Sequence, residues 1–216
     1  MGGKLAAFDM DGTLTDGRLV FALAHKIGLT EKVEAIQSSL EPGYKQSKAI
    51  AMLFKELTTK DIEIAIESIP LSKNCELTVS TLREKNYKIG IISDSYTIAA
   101  QVVADRLGGM DFVVANELLI THGKLTGGIR MPLGWEKIGC FCMISVCKRY
   151  YLEKHAKVFD VQLKDAIAVG DTKSDLCMVQ RAGTGIAFMP KDEKIAKATN
   201  NVVEQPDLAK VLEFVT

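Results

Sequence analysis

Three short apolar runs in this chain stop abruptly at a carboxylate or a hydroxyl. Leu5-Ala6-Ala7-Phe8 runs into Asp9 and Asp11, Ile89-Gly90-Ile91-Ile92 into Ser93 and Asp94, and Ile167-Ala168-Val169-Gly170 into Asp171 and Asp175. Short apolar runs without polar alternation fit strands buried on both faces, as in a parallel sheet covered by helices. Such sheets bind ligands beyond the carboxyl ends of their strands. Three distant segments are therefore expected to deliver polar groups to one edge.

The segments between these runs support that reading. Helical spacing is predicted over Asn74 to Lys85, Ile98 to Leu107, Ser145 to Val158, Ser174 to Ala182 and Leu208 to Val215. Strands are predicted over Lys88 to Ser93, Phe112 to Ala115, Asp165 to Asp171 and Thr184 to Phe188, with a hairpin closed by His122-Gly123 between Glu117–Thr121 and Lys124–Ile129. The order is that of a doubly wound, Rossmann-like α/β fold with a parallel sheet. From Arg18 to about Glu67 the apolar residues recur only at helical intervals, so this block reads as a helical insertion after the first strand. The expected division is a core of residues 1–15 and 75–216 and a helical cap of residues 16–74.

Composition bounds what the chain can do. With 216 residues, 47% of them apolar, there is enough for a packed core plus an insertion. Lys plus Arg (27) balance Asp plus Glu (27), so net charge points to no nucleic-acid partner and no membrane surface. No segment approaches ~18 consecutive apolar residues, and a soluble cytosolic protein is expected. The five cysteines fit that compartment as unbridged thiols. Cys140, Cys142 and Cys147 cluster ahead of His155, but they lack the paired spacing of most zinc sites and sit in an apolar stretch, so packing in the core or loop is the expectation.

Carboxylates gathered at one sheet edge repel one another unless a cation or a proton intervenes, and an all-oxygen set suits Mg²⁺. In order and spacing, Asp9-Met10-Asp11-Gly12-Thr13-Leu14-Thr15, Ser93, Lys148 and Gly170-Asp171-Thr172-Lys173-Ser174-Asp175 resemble the four motifs of the haloacid dehalogenase-like phosphatases. Among these the phosphoserine phosphatases look nearest, through Gly123-Lys124-Leu125-Thr126-Gly127 and Ala182-Gly183 as well.

The resemblance implies an Mg²⁺-dependent phosphomonoester hydrolase acting on a small phosphorylated metabolite. Asp9 would be the nucleophile that becomes an aspartyl-phosphate, and Asp11 the general acid and base. Asp9, Asp11 (through its carbonyl), Asp171 and Asp175 would hold the metal. Ser93 and Lys148, with Asp94 and the backbone amides of Met10 to Gly12 beside them, would hold the phosphoryl group. Two cap positions depart from the pattern: Arg18 stands where a glutamate would meet the substrate amine, and Ala51 where an arginine would meet its carboxylate. Arg18, Lys45 and Lys48 are accordingly candidates for selecting a substrate with a second anionic group. Transfer of the phosphoryl group to an alcohol such as homoserine is the alternative outcome, and a non-enzymatic phospho-aspartate signalling domain a remoter one. Oligomeric state, monomer or homodimer, stays open.

Overall fold

The computed structural model describes residues 3–215, so Met1, Gly2 and Thr216, at the ends of the expected core, lie outside the described residues. Strand β1 (Lys4–Phe8) is followed by four consecutive helices, α1 (Leu19–Lys26), α2 (Thr30–Ser38), α3 (Gly43–Leu53) and α4 (Thr59–Glu67). Alternation then begins with α5 (Cys75–Glu84), β2 (Tyr87–Tyr96), α6 (Thr97–Arg106), β3 (Phe112–Thr121) and β4 (Lys124–Arg130). A loop holding the one-turn helix α7 (Trp135–Ile138) leads to α8 (Lys148–Val158), β5 (Ala166–Gly170), α9 (Leu176–Val179), β6 (Thr184–Phe188), α10 (Glu193–Ala196) and β7 (Val202–Val203).

The strands form one sheet in the order β4-β3-β2-β1-β5-β6-β7. Every pairing is parallel except β3 with β4, which closes the hairpin. Successive strands step outward from β1 in one direction, then restart at β5 in the other, so the switch point lies between β1 and β5. Phe8 faces Ile91 on one side and Val169 on the other. Ser93 and Asp171 each come two residues after those partners, flanking Asp9.

Period-two alternation anchors β1. Ala6 and Phe8 face a layer with Val79, Leu82, Ala100 and Val103 from α5 and α6, while Leu5 and Ala7 face Leu152, Ala156 and Met178 from α8 and α9. Burying each Leu or Phe fully is worth about 1.5–3 kcal/mol, which is how a five-residue strand is held firmly enough to aim the turn at its carboxyl end. The helices inserted after β1 share the first of these layers: Leu19, Leu23, Ile50, Phe54, Ile62 and Ile66 are all buried in it, and Phe54 meets Tyr96 of β2 edge to face at 6.3 Å.

The structure redraws several boundaries. Strand β2 runs on past Ser93 to Tyr96, with a register shift between Ile92 and Tyr96, and β3 is continuous from Phe112 to Thr121 instead of pausing at Ala115. Helix α8 starts at Lys148, three residues late, because Ser145 to Cys147 lie extended beside Leu133: the Leu133 amide donates to Ser145 (2.8 Å) and the Cys147 amide to Leu133 (2.9 Å). Helix α9 keeps only Leu176–Val179, and α10 and β7 were not foreseen. All five cysteines are free. His155 does not join the cysteine cluster; its ring stacks on Phe112 at 3.9 Å. Among the described residues no helix is long and apolar enough to cross a membrane.

Helix α4 starts with a reciprocal cap. The Asp61 amide donates to Thr58 Oγ1 (3.2 Å), and the Thr58 amide donates to Asp61 Oδ2 (2.8 Å). Lys26 of α1 reaches the same carboxylate at 2.5 Å, and that ammonium, followed by the Thr58 amide, holds the Asp61 pKa down to about 2. Replacing Thr58 by alanine should cost about 1 kcal/mol, read from the urea midpoint, while serine should stay close to wild type. Because the folded pKa of Asp61 is depressed, its contribution is present above the unfolded value of about 4 and should fade as pH falls toward 2.

Candidate active site

Asp9 is the first residue past β1, and its amide donates to the Val169 carbonyl of β5 at 2.9 Å. The chain then turns tightly around one oxygen: the Met10 carbonyl accepts from the amides of Thr13, Leu14 and Thr15 and from Thr15 Oγ1. Gly12 has φ +91°, which favours glycine, and a Cβ there would collide with Oδ2 of Asp171. Its lack of a side chain lets the β1 turn and the β5 turn come together. Its amide is not offered to a ligand as expected, since it donates to the Thr15 carbonyl at 3.0 Å. Among the described residues the Met10 and Asp11 amides have no such partner, so they remain the donors this turn can offer.

Beyond β5 the Asp175 carboxylate folds back. Its Oδ2 accepts the amides of Asp171 and Thr172, both at 3.0 Å, and a Cβ on Gly170 would collide with it. Its Oδ1 accepts from Lys148, whose Nζ also lies 2.5 Å from Asp9 Oδ1. Lys148 is wholly buried at the first position of α8.

Oxygens of Asp9, Asp171 and Asp175 all lie within 4.8 Å of one another. Burial raises the Asp9 carboxyl well above its ordinary range; Lys148 opposes this, and Asp175, Asp171 and Asp94 push it further up. Asp171 is raised to about 7, by burial and then by Asp175, against Lys148, Arg18 and Lys191. Burial alone would favour a neutral Lys148, but Asp175 and Asp9 reverse that and hold its ammonium well above its usual pKa. Negative charge here exceeds what one lysine balances. Asp171 Oδ1 is buried without a hydrogen-bond partner among the described residues. A hard divalent cation bound by carboxylate oxygens fits this set and would satisfy that atom.

Asp11 sits at the mouth, half-buried. Its Oδ1 accepts the Leu19 amide at 2.8 Å, so it also caps α1. Burial raises its pKa and that amide partly offsets the rise. Ser93 is buried at the register shift of β2, its Oγ accepting the Ser95 amide at 3.1 Å. The Asp94 charge is felt at Asp9, Asp11 and Lys148.

A cleft of about 260 Å³ opens beside Gly12 and Asp171, bordered by Arg18, Ser72, Lys73 and Lys191. Arg18 is exposed there, 3.5 Å from Gln37 Oε1 and 5.5 Å from the centre of the Phe21 ring. Lys45 and Lys48 do not border it. Helix α3 buries Ile50 and Ala51, and Phe54 just beyond it turns inward with them, which leaves both lysines exposed; Lys45 pairs with Glu41 at 2.9 Å.

Residues not foreseen tie the site to its surroundings. Buried Asn116 donates through Nδ2 to the Asp94 carbonyl (2.6 Å) and to Ser145 Oγ (2.9 Å), and Ser47 of α3 donates to Ser145 Oγ (3.1 Å). A polar asparagine amid the apolar residues of β3 was the available signal.

Residues 6–180 match the family of haloacid dehalogenase-like hydrolases. The chain belongs to that family. Within it, the sequence is 31% identical to a phosphoserine phosphatase of Methanocaldococcus jannaschii, over 98% of this chain and 97% of that protein. It is 29% identical to a phosphoserine phosphatase of Lactococcus lactis, over 98% and 94% respectively. A solved structure described as a phospho-aspartyl intermediate analogue of phosphoserine phosphatase superposes with a TM-score of 0.87 at 28% identity, covering all of both chains. The haloacid dehalogenase-like fold thus extends through the inserted helices as well as the sheet.

The close approach at Gly12 can be tested directly. Millimolar Mg²⁺ should raise the Tm of the wild-type chain, and Gly12→Ala should force the turns at β1 and β5 apart and abolish that rise while the far-ultraviolet spectrum is retained. An unchanged Mg²⁺-dependent rise would show that this contact does not set the cation site.

Proposed function

We propose that this chain is a phosphoserine phosphatase-like, Mg²⁺-dependent phosphomonoester hydrolase of the cytosol that works through an aspartyl-phosphate on Asp9. The observation that carries the proposal is the buried cluster of Asp9, Asp171, Asp175 and Lys148 at the switch point of a haloacid dehalogenase-like fold. Residues 1–15 and 75–216 act as the core, and residues 16–74 as the cap that shields the reaction from bulk water.

In this reading the Asp9 carboxylate attacks phosphorus while the ester oxygen leaves with a proton from Asp11, whose raised pKa keeps that proton available. A water then attacks the aspartyl-phosphate, gives its proton to Asp11 and releases inorganic phosphate, restoring Asp9. Ser93, the amides of Met10 and Asp11, and Lys148 hold the phosphoryl oxygens in both steps. Asp9, the Asp11 carbonyl, Asp171 and Asp175 would hold Mg²⁺, which when bound supplies charge neutralisation between nucleophile and phosphoryl group.

Asp9→Asn should reduce phosphate release by more than about 10³-fold, because an amide cannot form the acyl phosphate. EDTA should stop turnover and added Mg²⁺ restore it. Phosphate release by the asparagine variant, or undiminished turnover in EDTA, would contradict the mechanism.

The substrate is a small phosphate ester with a second anionic group, phosphoserine being the leading candidate, and Arg18 at the cleft is the group proposed to meet that anion. A charge-assisted hydrogen bond is worth about 1.5–3 kcal/mol, so Arg18→Ala should raise KM roughly tenfold to a hundredfold for carboxylated esters, with kcat little changed. Esters without a second anion should be unaffected. Equal effects on both sets, or none on either, would remove Arg18 from substrate selection.

A further inference from the structure

The loop between β4 and α8 presents its side chains in an unusual sense. Phe141 (67% exposed) and Met143 (40% exposed) face solvent, whereas Cys140 and Cys147 are buried and Cys142 half-buried. Reduced cysteine is itself readily buried, and Trp135, Ile138 and Tyr150 pack against these thiols, yet the loop turns three small thiols to one point while leaving two larger apolar side chains in water. Backbone conformation adds to the cost: Leu133 and Met143 both have positive φ, the left-handed region that residues with a Cβ disfavour. Packing accounts for burial of each thiol but not for their convergence on one point.

The point they converge on includes a fourth thiol from a different element. Cys177, on α9, joins Cys140, Cys142 and Cys147, and all four Sγ atoms lie within 4.8 Å of one another. Four thiolates around zinc at about 2.3 Å set the sulfurs about 3.8 Å apart, so the cluster needs only a small contraction to hold one ion. A multi-iron cluster would need its ligands spread around several metal atoms. The backbone amides of Ile144, Tyr150 and Arg149 lie near the sulfurs of Cys142, Cys147 and Cys177 respectively, where they favour negative charge. Such donors stabilise thiolate charge and fix ligand direction, as outer-sphere partners of metal sites do. The Arg149 guanidinium, paired with Glu153 at 2.9 Å, also lies within electrostatic range of Cys140 and Cys147.

We propose that Cys140, Cys142, Cys147 and Cys177 form a tetrahedral structural zinc site, distinct from the acidic cluster, that pins the β4–α8 loop to the start of α9. Four protein ligands leave no open position, which is the pattern of a structural ion and not a catalytic one. The site fastens two of the three segments that serve the acidic cluster, because Cys147 immediately precedes Lys148 and Cys177 comes two residues after Asp175. Its existence does not depend on the substrate of the neighbouring site.

The test is metal content and spectroscopy on the whole chain. Protein purified under reducing conditions without chelator should carry about one zinc per chain by elemental mass spectrometry. Stripped protein refilled with Co²⁺ should show the intense visible bands and near-ultraviolet sulfur-to-cobalt band of a tetrahedral thiolate site, and Zn²⁺ should displace them. Cys142→Ser, at the least buried ligand, and Cys177→Ser should each lose the cobalt bands. Cys75→Ser, whose thiol lies elsewhere in the core, should keep them. Should the serine variants fail to fold, the wild-type spectrum and thiol count still decide. Folded wild-type chain that takes up neither Zn²⁺ nor Co²⁺ under reducing conditions overturns the proposal. So do four thiols of this cluster reacting freely with zinc present, or pairing as disulfides in freshly prepared protein.

Discussion

A single ammonium, Lys148, is sealed from water between the carboxylates of Asp9 and Asp175, with Asp171 close enough to share their field. Such a cluster is a poor way to gain stability, since desolvating charges costs several kcal/mol per ion and apolar replacements are often as stable. Breaking it one partner at a time is costly, about 3–5 kcal/mol, because the remaining charge is left buried. The rest of the structure is consistent with holding this arrangement in place despite its cost. One lysine cannot neutralise three carboxylates, and the upward displacement of Asp9 and Asp171, caused first by burial, is increased by their carboxylate neighbours. A pocket that favours protonation in the absence of a cation is one that gains from taking up a divalent ion.

The parallel sheet makes the convergence possible. At the switch point, β1 and β5 are hydrogen-bonded neighbours whose connections lead to opposite sides, so the turns after them face each other across a gap that no crossover fills. Two glycines then remove the last obstacles. Gly12 lets the first turn meet Asp171, and Gly170 lets Asp175 lie against the strand that precedes it. Asp175 accepts two amides of its own loop, which fixes the carboxylate before Lys148 reaches it. Burial of the adjoining strand residues supplies the rigidity, and the charged cluster draws on it.

Features governed by local chemistry were readable from the sequence. Apolar runs ending in Asp9, Ser93 and Asp171 gave the strands and the edge they share, and the turn His122-Gly123, with positive φ at both residues, was recognisable from two residues. What eluded the sequence depends on distance or on rotational phase. Lys45 and Lys48 were plausible only until the buried stripe of α3 fixed which way they face. The Gly12 amide looked like a ligand donor, but a tight turn spends it internally. Asn116 and Ser145 meet across 29 positions, and Ser47 and Ser145 across 98, separations at which no spacing rule applies. Cys177 belongs to the same class, since nothing near it in sequence announces three other thiols.

The two clusters beside α8 and α9 also differ in the kind of ion each would take. One offers carboxylate oxygens, which suit a hard cation that holds several waters and exchanges readily; the other offers four thiolates, which suit a softer ion bound without water. Cys147 adjoins Lys148 and Cys177 lies two residues beyond Asp175, so each of these helix starts carries a thiol beside a residue of the acidic cluster. Mg²⁺ gains little from thiolates, so under the proposed arrangement the oxygen site would exchange its ion while the sulfur site stays closed. The β4–α8 loop touches the inserted helices as well, through the Tyr44 amide on the Met143 carbonyl (3.1 Å) and Tyr44 against Trp135 (ring centres 5.9 Å apart), so the loop that carries three of the four thiols is also the surface against which α3 rests.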